Sequence, residues 1–319
     1  MQKSNNTGSS ETIRETNLER FCLQHYIAHG TPMHRPKPDI GFLEWFIGFF
    51  EAEGSFTTWS DHNTERRRFC IDITQKDPQL MYKIRTKLGF GRVTTFSKKD
   101  HTGLFAKYYV EDRKNLERLI YLFDGQFVTK HKQMQFQAWL AKLSQQRLDC
   151  NRPVYKISAA QTNQASFQTA WLAGFLEGDG GFWVSSKSFL YTKKTGEQSF
   201  RLKMKFYVTQ EYPDILNQIR DCLGYLKPKK LHRLTNGHTS KLYYRFETGK
   251  LEDHLKLDSY LKTYQFLGNR SITLKRWSRL LNYRIYDYPV TTKSTQKIRR
   301  LIMATKNQST LACRGQSKF

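Results

Sequence analysis

The chain is 319 residues long and carries 53 Lys and Arg against 28 Asp and Glu, a formal charge of +25. That excess goes far beyond what solubility requires and points to a polyanionic partner, nucleic acid first. No apolar run approaches the roughly 18 residues of a membrane span, and five scattered cysteines (Cys22, Cys70, Cys150, Cys222, Cys313) without a C-x-x-C pair argue against a disulfide framework or zinc site.

The arm from 1 to 39 is nearly neutral, lacks the basic-then-apolar order of a signal peptide, and is assigned no function. An apolar helix is predicted from Phe42 to Glu53, then strands including "RRRFCIDITQ", then a helix opened by the proline of "DPQLMYKIRTKLG". The strand "AKYYVED" follows, with closing helical segments around Leu116 to Leu122 and Lys132 to Leu143. A polar linker spans 144–167. A second apolar helix runs from about Ala170 to Asp179. In "FRLKMKFYVTQ", Phe200, Leu202, Met204, Phe206 and Val208 alternate with Arg201, Lys203, Lys205, Tyr207 and Thr209, the period of a half-buried strand with a basic outer face. The helix "YPDILNQIRDCLG", the strand "LYYRFET" and a closing helix around Ser271 to Leu281 complete this part. The tail from 290 to 319 holds seven Lys or Arg and no acid.

These elements repeat. "WFIGFFEAEGSF" (45–56) matches "WLAGFLEGDGGF" (171–182), pairing Trp45 with Trp171, Gly48 with Gly174, Glu51 with Glu177 and Glu53 with Asp179. "ITQKDPQLMYKIRTKLGFG" then matches "VTQEYPDILNQIRDCLGYL" with nine extra residues in the second copy, assigned to a loop at "SFLYTKKTGEQS". The chain is therefore expected to be an α+β protein of two pseudo-twofold αββαββα halves, 40–143 and 168–289.

Acids at a helix C-terminus face the negative end of the macrodipole, so Glu53 and Asp179 need a compensating charge. Small residues four apart (Gly48 and Ala52, Gly174 and Gly178) would let the two helices pack closely and bring both acids together. A divalent cation, Mg²⁺ or alternatively Mn²⁺, would relieve their repulsion. With a polyanion bound, that pairing implies attack on a phosphodiester. A glycoside hydrolase also uses paired carboxylates, but the charge of +25 fits it poorly.

The two copies "FIGFFEAEG" (46–54) and "LAGFLEGDG" (172–180), each followed by T-Q-x-x-P, resemble the single-chain, two-motif LAGLIDADG homing endonucleases from about Gly41 to Tyr288. The resemblance implies metal-dependent double-strand cleavage of a long asymmetric DNA duplex by a monomer with an internal pseudo-dimer. It also implies antiparallel sheets forming a DNA-binding saddle, an intron-encoded origin and an organellar setting. RNA maturases of the same family make intron RNA the alternative partner. By the same resemblance Glu53 and Asp179 hold metal, Gln75 and Gln210 stand near the attacking water, and Lys132 and Arg270 stand near the scissile phosphates. Glu51 and Glu177 do not carry over as ligands. Outward residues expected to meet DNA are Thr57, Trp59, Arg66 and Arg68 in the first half. In the second they are Trp183, Ser185, Lys187, Arg201, Lys203 and Lys205.

Overall fold

The computed structural model describes residues 23–24, 26–61, 64–97, 103–148, 163–187, 189–224, 232–236 and 239–313. Most of the arm, much of the linker and the end of the tail lie outside the described residues.

Helix α1 (Ile40–Glu53) starts where the Asp39 side chain accepts the Phe42 N–H at 3.2 Å, an N-cap that satisfies one of the free amides of the first turn. It is apolar on every side and buried from Phe42 to Glu51, as an all-round hydrophobic helix must be. There follow β1 (Gly54–Asp61), β2 (Thr64–Gln75), α2 (Pro78–Leu88), β3 (Arg92–Ser97), β4 (Leu104–Val110), α3 (Arg113–Phe123) and α4 (Lys130–Leu148). The second half opens with α5 (Trp171–Asp179) and β5 (Gly180–Val184). It continues with β6 (Leu190–Thr192), β7 (Gln198–Phe200), β8 (Met204–Gln210) and α6 (Asp214–Cys222). It ends with β9 (His232–Asn236), β10 (Thr239–Thr248), α7 (Leu251–Thr263), α8 (Arg270–Ile285) and α9 (Thr292–Cys313).

The described strands form two four-stranded antiparallel sheets of matching order, β1-β2-β4-β3 and β5-β8-β10-β9, and a two-stranded hairpin, β6-β7. The hairpin is the nine-residue insertion, paired strands where a loop was expected: Gly196 N–H donates to the Lys193 carbonyl at 3.0 Å and closes its turn. One face of each main sheet packs under helices. In the second, Phe182, Val184, Met204, Phe206 and Val208 are buried and Phe182 lies against Trp277 of α8. In the first, Phe56 and Phe69 pack on Trp139 of α4.

Three further elements differ from the sequence expectation. The strand predicted from Phe200 is interrupted at Arg201 to Lys203, because Arg201 N–H bonds the Phe189 carbonyl and the Lys203 carbonyl accepts Ser185 N–H. These bonds tie the hairpin to the loop after β5 instead of extending β8. Each half closes with two helices, and α7, which corresponds to α3, has no counterpart in the prediction. The tail, finally, given no element in the sequence reading, is helical as far as Cys313: α9 lies on α8 and β5, burying Ile298 and Ile302 while Lys293, Lys297, Arg299 and Arg300 stay exposed.

Helices α1 and α5 pack directly against one another at the junction of the halves. Gly48 faces the Trp171 carbonyl and Gly174 faces the Trp45 carbonyl so closely that a Cβ on either glycine would overlap that oxygen. The reciprocity defines the pseudo-twofold axis.

Candidate active site at the junction of the halves

Because α1 and α5 run side by side, their last residues, Glu53 and Asp179, emerge together where each helix gives way to a strand. Glu53 Oε1 lies 3.5 Å from the point where a Cβ on Gly178 would stand, next to Asp179. Burial first, then the charge of Asp179, pushes the Glu53 carboxyl up to about 8, against the opposing pull of Arg270, a hydrogen bond from Gln75 and Lys132. Two acids held this close at the negative ends of two helices are the local conflict that the sequence raised.

The remaining expected residues converge on them. Gln75 ends β2 and Gln210 ends β8, so the two sheets deliver them symmetrically; Gln75 bonds Glu53, and Gln210 Nε2 donates to Asp179 Oδ2 at 2.6 Å. Lys132, in the first turn of α4, is buried and its Nζ donates to the Gly54 carbonyl at 2.7 Å. Burial lowers its pKa, opposed by the charges of Glu51, Asp179 and Glu53. Arg270 opens α8 and its guanidinium donates to the carbonyls of Glu177 (2.6 Å), Gly178 and Gly180. Each cation thus caps the C-terminal end of its own motif helix, the end where positive charge is favoured. All six residues expected at the site meet there. Among the described residues no group of three or more His, Cys, Asp or Glu gathers as a metal site, at this junction or elsewhere, and none of their helices is long and apolar enough to cross a membrane.

The outer sheet faces hold part of the expected contact set. Trp59 and Arg68 are direct cross-strand neighbours and both exposed, as are Trp183 and Lys205 in the second half. Lys205 is engaged by Glu247 at 2.8 Å. Thr57 shares the face of Trp59 and is already engaged there, donating to Asp72 at 3.0 Å. Ser185, Lys187, Arg201 and Lys203 stand in the connections beside the second sheet and not on its strands. Arg66 lies in β2, with its side chain outside the described residues. The sequence reading missed Arg245, whose Nε donates to Thr209 at 2.9 Å and whose guanidinium covers the Tyr207 ring, and Lys107 beside Asp72. Both lie on the second inner strand of their sheet, β4 and β10, and the alternation in "AKYYVED" and "LYYRFET" is the signal that marks them.

Two matching α/β halves, an acid from each at a shared helix junction and exposed basic sheets define a pseudo-dimeric two-acid protein built for a polyanion. The profile of the LAGLIDADG endonuclease family matches residues 46–142 and 172–281, and the chain belongs to that family. It is similar to "Probable intron-encoded endonuclease 4" of Neurospora crassa, 29% identical over 170 residues; the match covers 53% of this chain and 28% of that protein. It is also similar to "Uncharacterized cox1 intron-2 37.2 kDa protein" of Schizosaccharomyces pombe, 22% identical over 284 residues, 86% of this chain and 74% of that protein. Among solved structures, meganuclease I-SmaMI bound to uncleavable DNA shares the fold with a TM-score of 0.59 at 18% identity, covering 82% of this chain and 97% of that one.

Proposed function

We propose that the protein is an intron-encoded, site-specific DNA endonuclease that makes a double-strand break in a long asymmetric duplex and depends on a divalent cation. The observation that carries this reading is the convergence of Glu53 and Asp179, one from each half, where two sheets with exposed cations begin. The family membership and relatives named for introns, two of them for cox1, agree with it and with a mitochondrial gene.

The donor set fits Mg²⁺ or Mn²⁺: two carboxylates and the amide oxygens of Gln75 and Gln210 are hard ligands, and the elevated Glu53 carboxyl marks a place where positive charge is wanted. Glu53 and Asp179 would hold the cation, which when bound supplies charge to the leaving oxygen and an activated water. The chain's own residues do the rest. Gln210 and Gln75 fix the carboxylates in orientation through their amides. Lys132, with one Nζ proton on Gly54 and others free to turn, adds positive charge beside a scissile phosphate; Arg270 gives the equivalent charge in the second half but serves electrostatically, since a guanidinium does not give up its proton. The exposed Trp59, Arg68, Trp183, Lys187, Arg201 and Lys203 face the duplex and hold its backbone and base edges. A strand of about ten residues follows roughly ten base pairs, so the two halves span about twenty.

Selection from randomised duplexes with Mg²⁺, followed by mapping of the cut ends, tests the proposal. It predicts a long site with poorly matching half-sites and cuts near its centre on opposite strands across the minor groove. Recovery of a site of about six base pairs, or of cuts outside the bound sequence, would overturn the two-half reading.

A further inference from the structure

The catalytic reading leaves unused the second acid of each motif helix. Glu51 is buried, and its carboxylate accepts the N–H of Val128 (2.9 Å), the N–H and O–H of Thr129 (2.8 and 2.7 Å) and Nε1–H of Trp171 (2.7 Å). Glu177, equally buried, accepts the N–H of Leu267 (2.7 Å) and Gly268 (2.6 Å) and Nε1–H of Trp45 (3.0 Å). In both cases the amides lie just before the helix that carries the site cation, α4 with Lys132 and α8 with Arg270. In both cases the indole belongs to the opposite half.

A lone acceptor for a buried indole needs no carboxylate; a backbone carbonyl serves, as Thr57 does for Trp139. An anion with three or four donors instead ties a helix N-terminus, a motif helix and the neighbouring half together by charge-assisted bonds. The same ends are touched a second time from across the axis. Asp77 Oδ2 accepts Asn269 N–H at 2.6 Å, Lys83 Nζ donates to the Leu267 carbonyl at 3.1 Å, and Tyr212, the counterpart of Asp77, stacks on His131 with ring centroids 4.5 Å apart.

We propose that Glu51 and Glu177 are positioning residues for the two site cations and that each is set by a tryptophan from the other half. Trp45 of the first half positions Arg270 of the second, and Trp171 of the second half positions Lys132 of the first. The inference rests on the endonuclease reading for its catalytic consequence, since a misplacement of about 1 Å at a reacting centre costs as much as roughly 100-fold in rate.

The test uses Trp45→Phe and Trp171→Phe in the full chain. Each keeps an aromatic ring to stack on Phe49 or Phe175 and loses only the indole donor and its second ring. Single-turnover cleavage with Mg²⁺ is followed separately for the two strands of a selected target, with R270A and K132A as references. The expected result is that W45F slows one strand by about tenfold, shifting the strand ratio in the direction of R270A, that W171F shifts it in the direction of K132A, and that KM is unchanged. Adding E177Q to W45F should shift the ratio no further than E177Q alone. A ratio that stays at the wild-type value, or that follows the half in which the substitution lies, overturns the proposal. Amide hydrogen exchange supplies a readout independent of activity: W45F should speed exchange at Leu267 and Gly268 and spare Val128 and Thr129, and unchanged exchange there overturns it too. A wild-type chain that cuts no DNA defeats the endonuclease reading alone, and the exchange result still judges the network.

Discussion

Gly48 of α1 and Gly174 of α5 each lie against the backbone of the opposite helix, Gly48 on the Trp171 carbonyl and Gly174 on the Trp45 carbonyl. No side chain can give way there, because the obstacle is main chain. Overpacking usually costs about 1–3 kcal/mol, and a backbone clash belongs at or beyond the top of that range. Gly48→Ala and Gly174→Ala should therefore each lower the melting temperature by several degrees, at roughly 2–4 °C per kcal/mol for a body of this size. A melt within about 1 °C of wild type would show that the halves are not in backbone contact.

Glu53→Gln and Asp179→Asn should abolish cleavage of at least one strand and leave DNA affinity largely intact, since each acid is assigned to metal and not to the duplex. Without divalent cation, and above about pH 8 where Glu53 is ionised, the same substitutions should stabilise the fold by removing a buried charge and, second, its repulsion with Asp179. Calorimetry in EDTA checks this. A fall in melting temperature on removing either acid would mean that the pair is not in conflict.

Arg201 and Lys203 are exposed, whereas Lys205 is already neutralised by Glu247. Each phosphate contact contributes about 0.9 to the slope of log affinity against log salt. Arg201→Ala and Lys203→Ala should each reduce the slope by up to about 0.9 and Lys205→Ala by clearly less. Equal slopes for all three would remove Glu247 from the account.

Ile298 is fully buried between α9 and the second half. Ile298→Ala should cost about 2–5 kcal/mol in urea unfolding, the usual cost of a buried isoleucine. Loss of under about 0.5 kcal/mol would mean that the helix contributes little to the fold.

The repeat made the architecture legible: matched apolar helices, matched T-Q-x-x-P segments and alternating strands required two halves, and the extra residues in the second copy had to stand between strands, although they form a hairpin in place of a loop. The six residues at the junction were legible through the family resemblance. What the sequence hid depends on distance in the chain. Leu267 and Glu177 are 90 residues apart, and nothing local says that an acid in an apolar helix serves amides there. One signal was available. Trp45 and Glu51 recur at the same spacing as Trp171 and Glu177, and buried indoles and buried carboxylates each need a partner that the other supplies. Helix α9 was hidden because its apolar stripe is short: among the described residues only Ile298, Ile302 and Thr305 of it are buried, with Lys297, Arg299 and Arg300 exposed between and beside them.

The junction between the halves has the same donors and acceptors on both faces: glycine against carbonyl, indole against carboxylate, each met by its own counterpart. Such a surface is isologous and accepts a copy of itself as readily as its companion. Correct partnering is then a matter of tethering, since covalent connection gives one half a high effective concentration beside the other. The unmatched contacts add discrimination, among them Glu44 on the Ala170 amide, Asp77 on the Asn269 amide, Lys83 on the Leu267 carbonyl and Tyr212 on His131. Exchanging halves between family members would therefore leave the glycine seam intact and succeed or fail at those unmatched contacts.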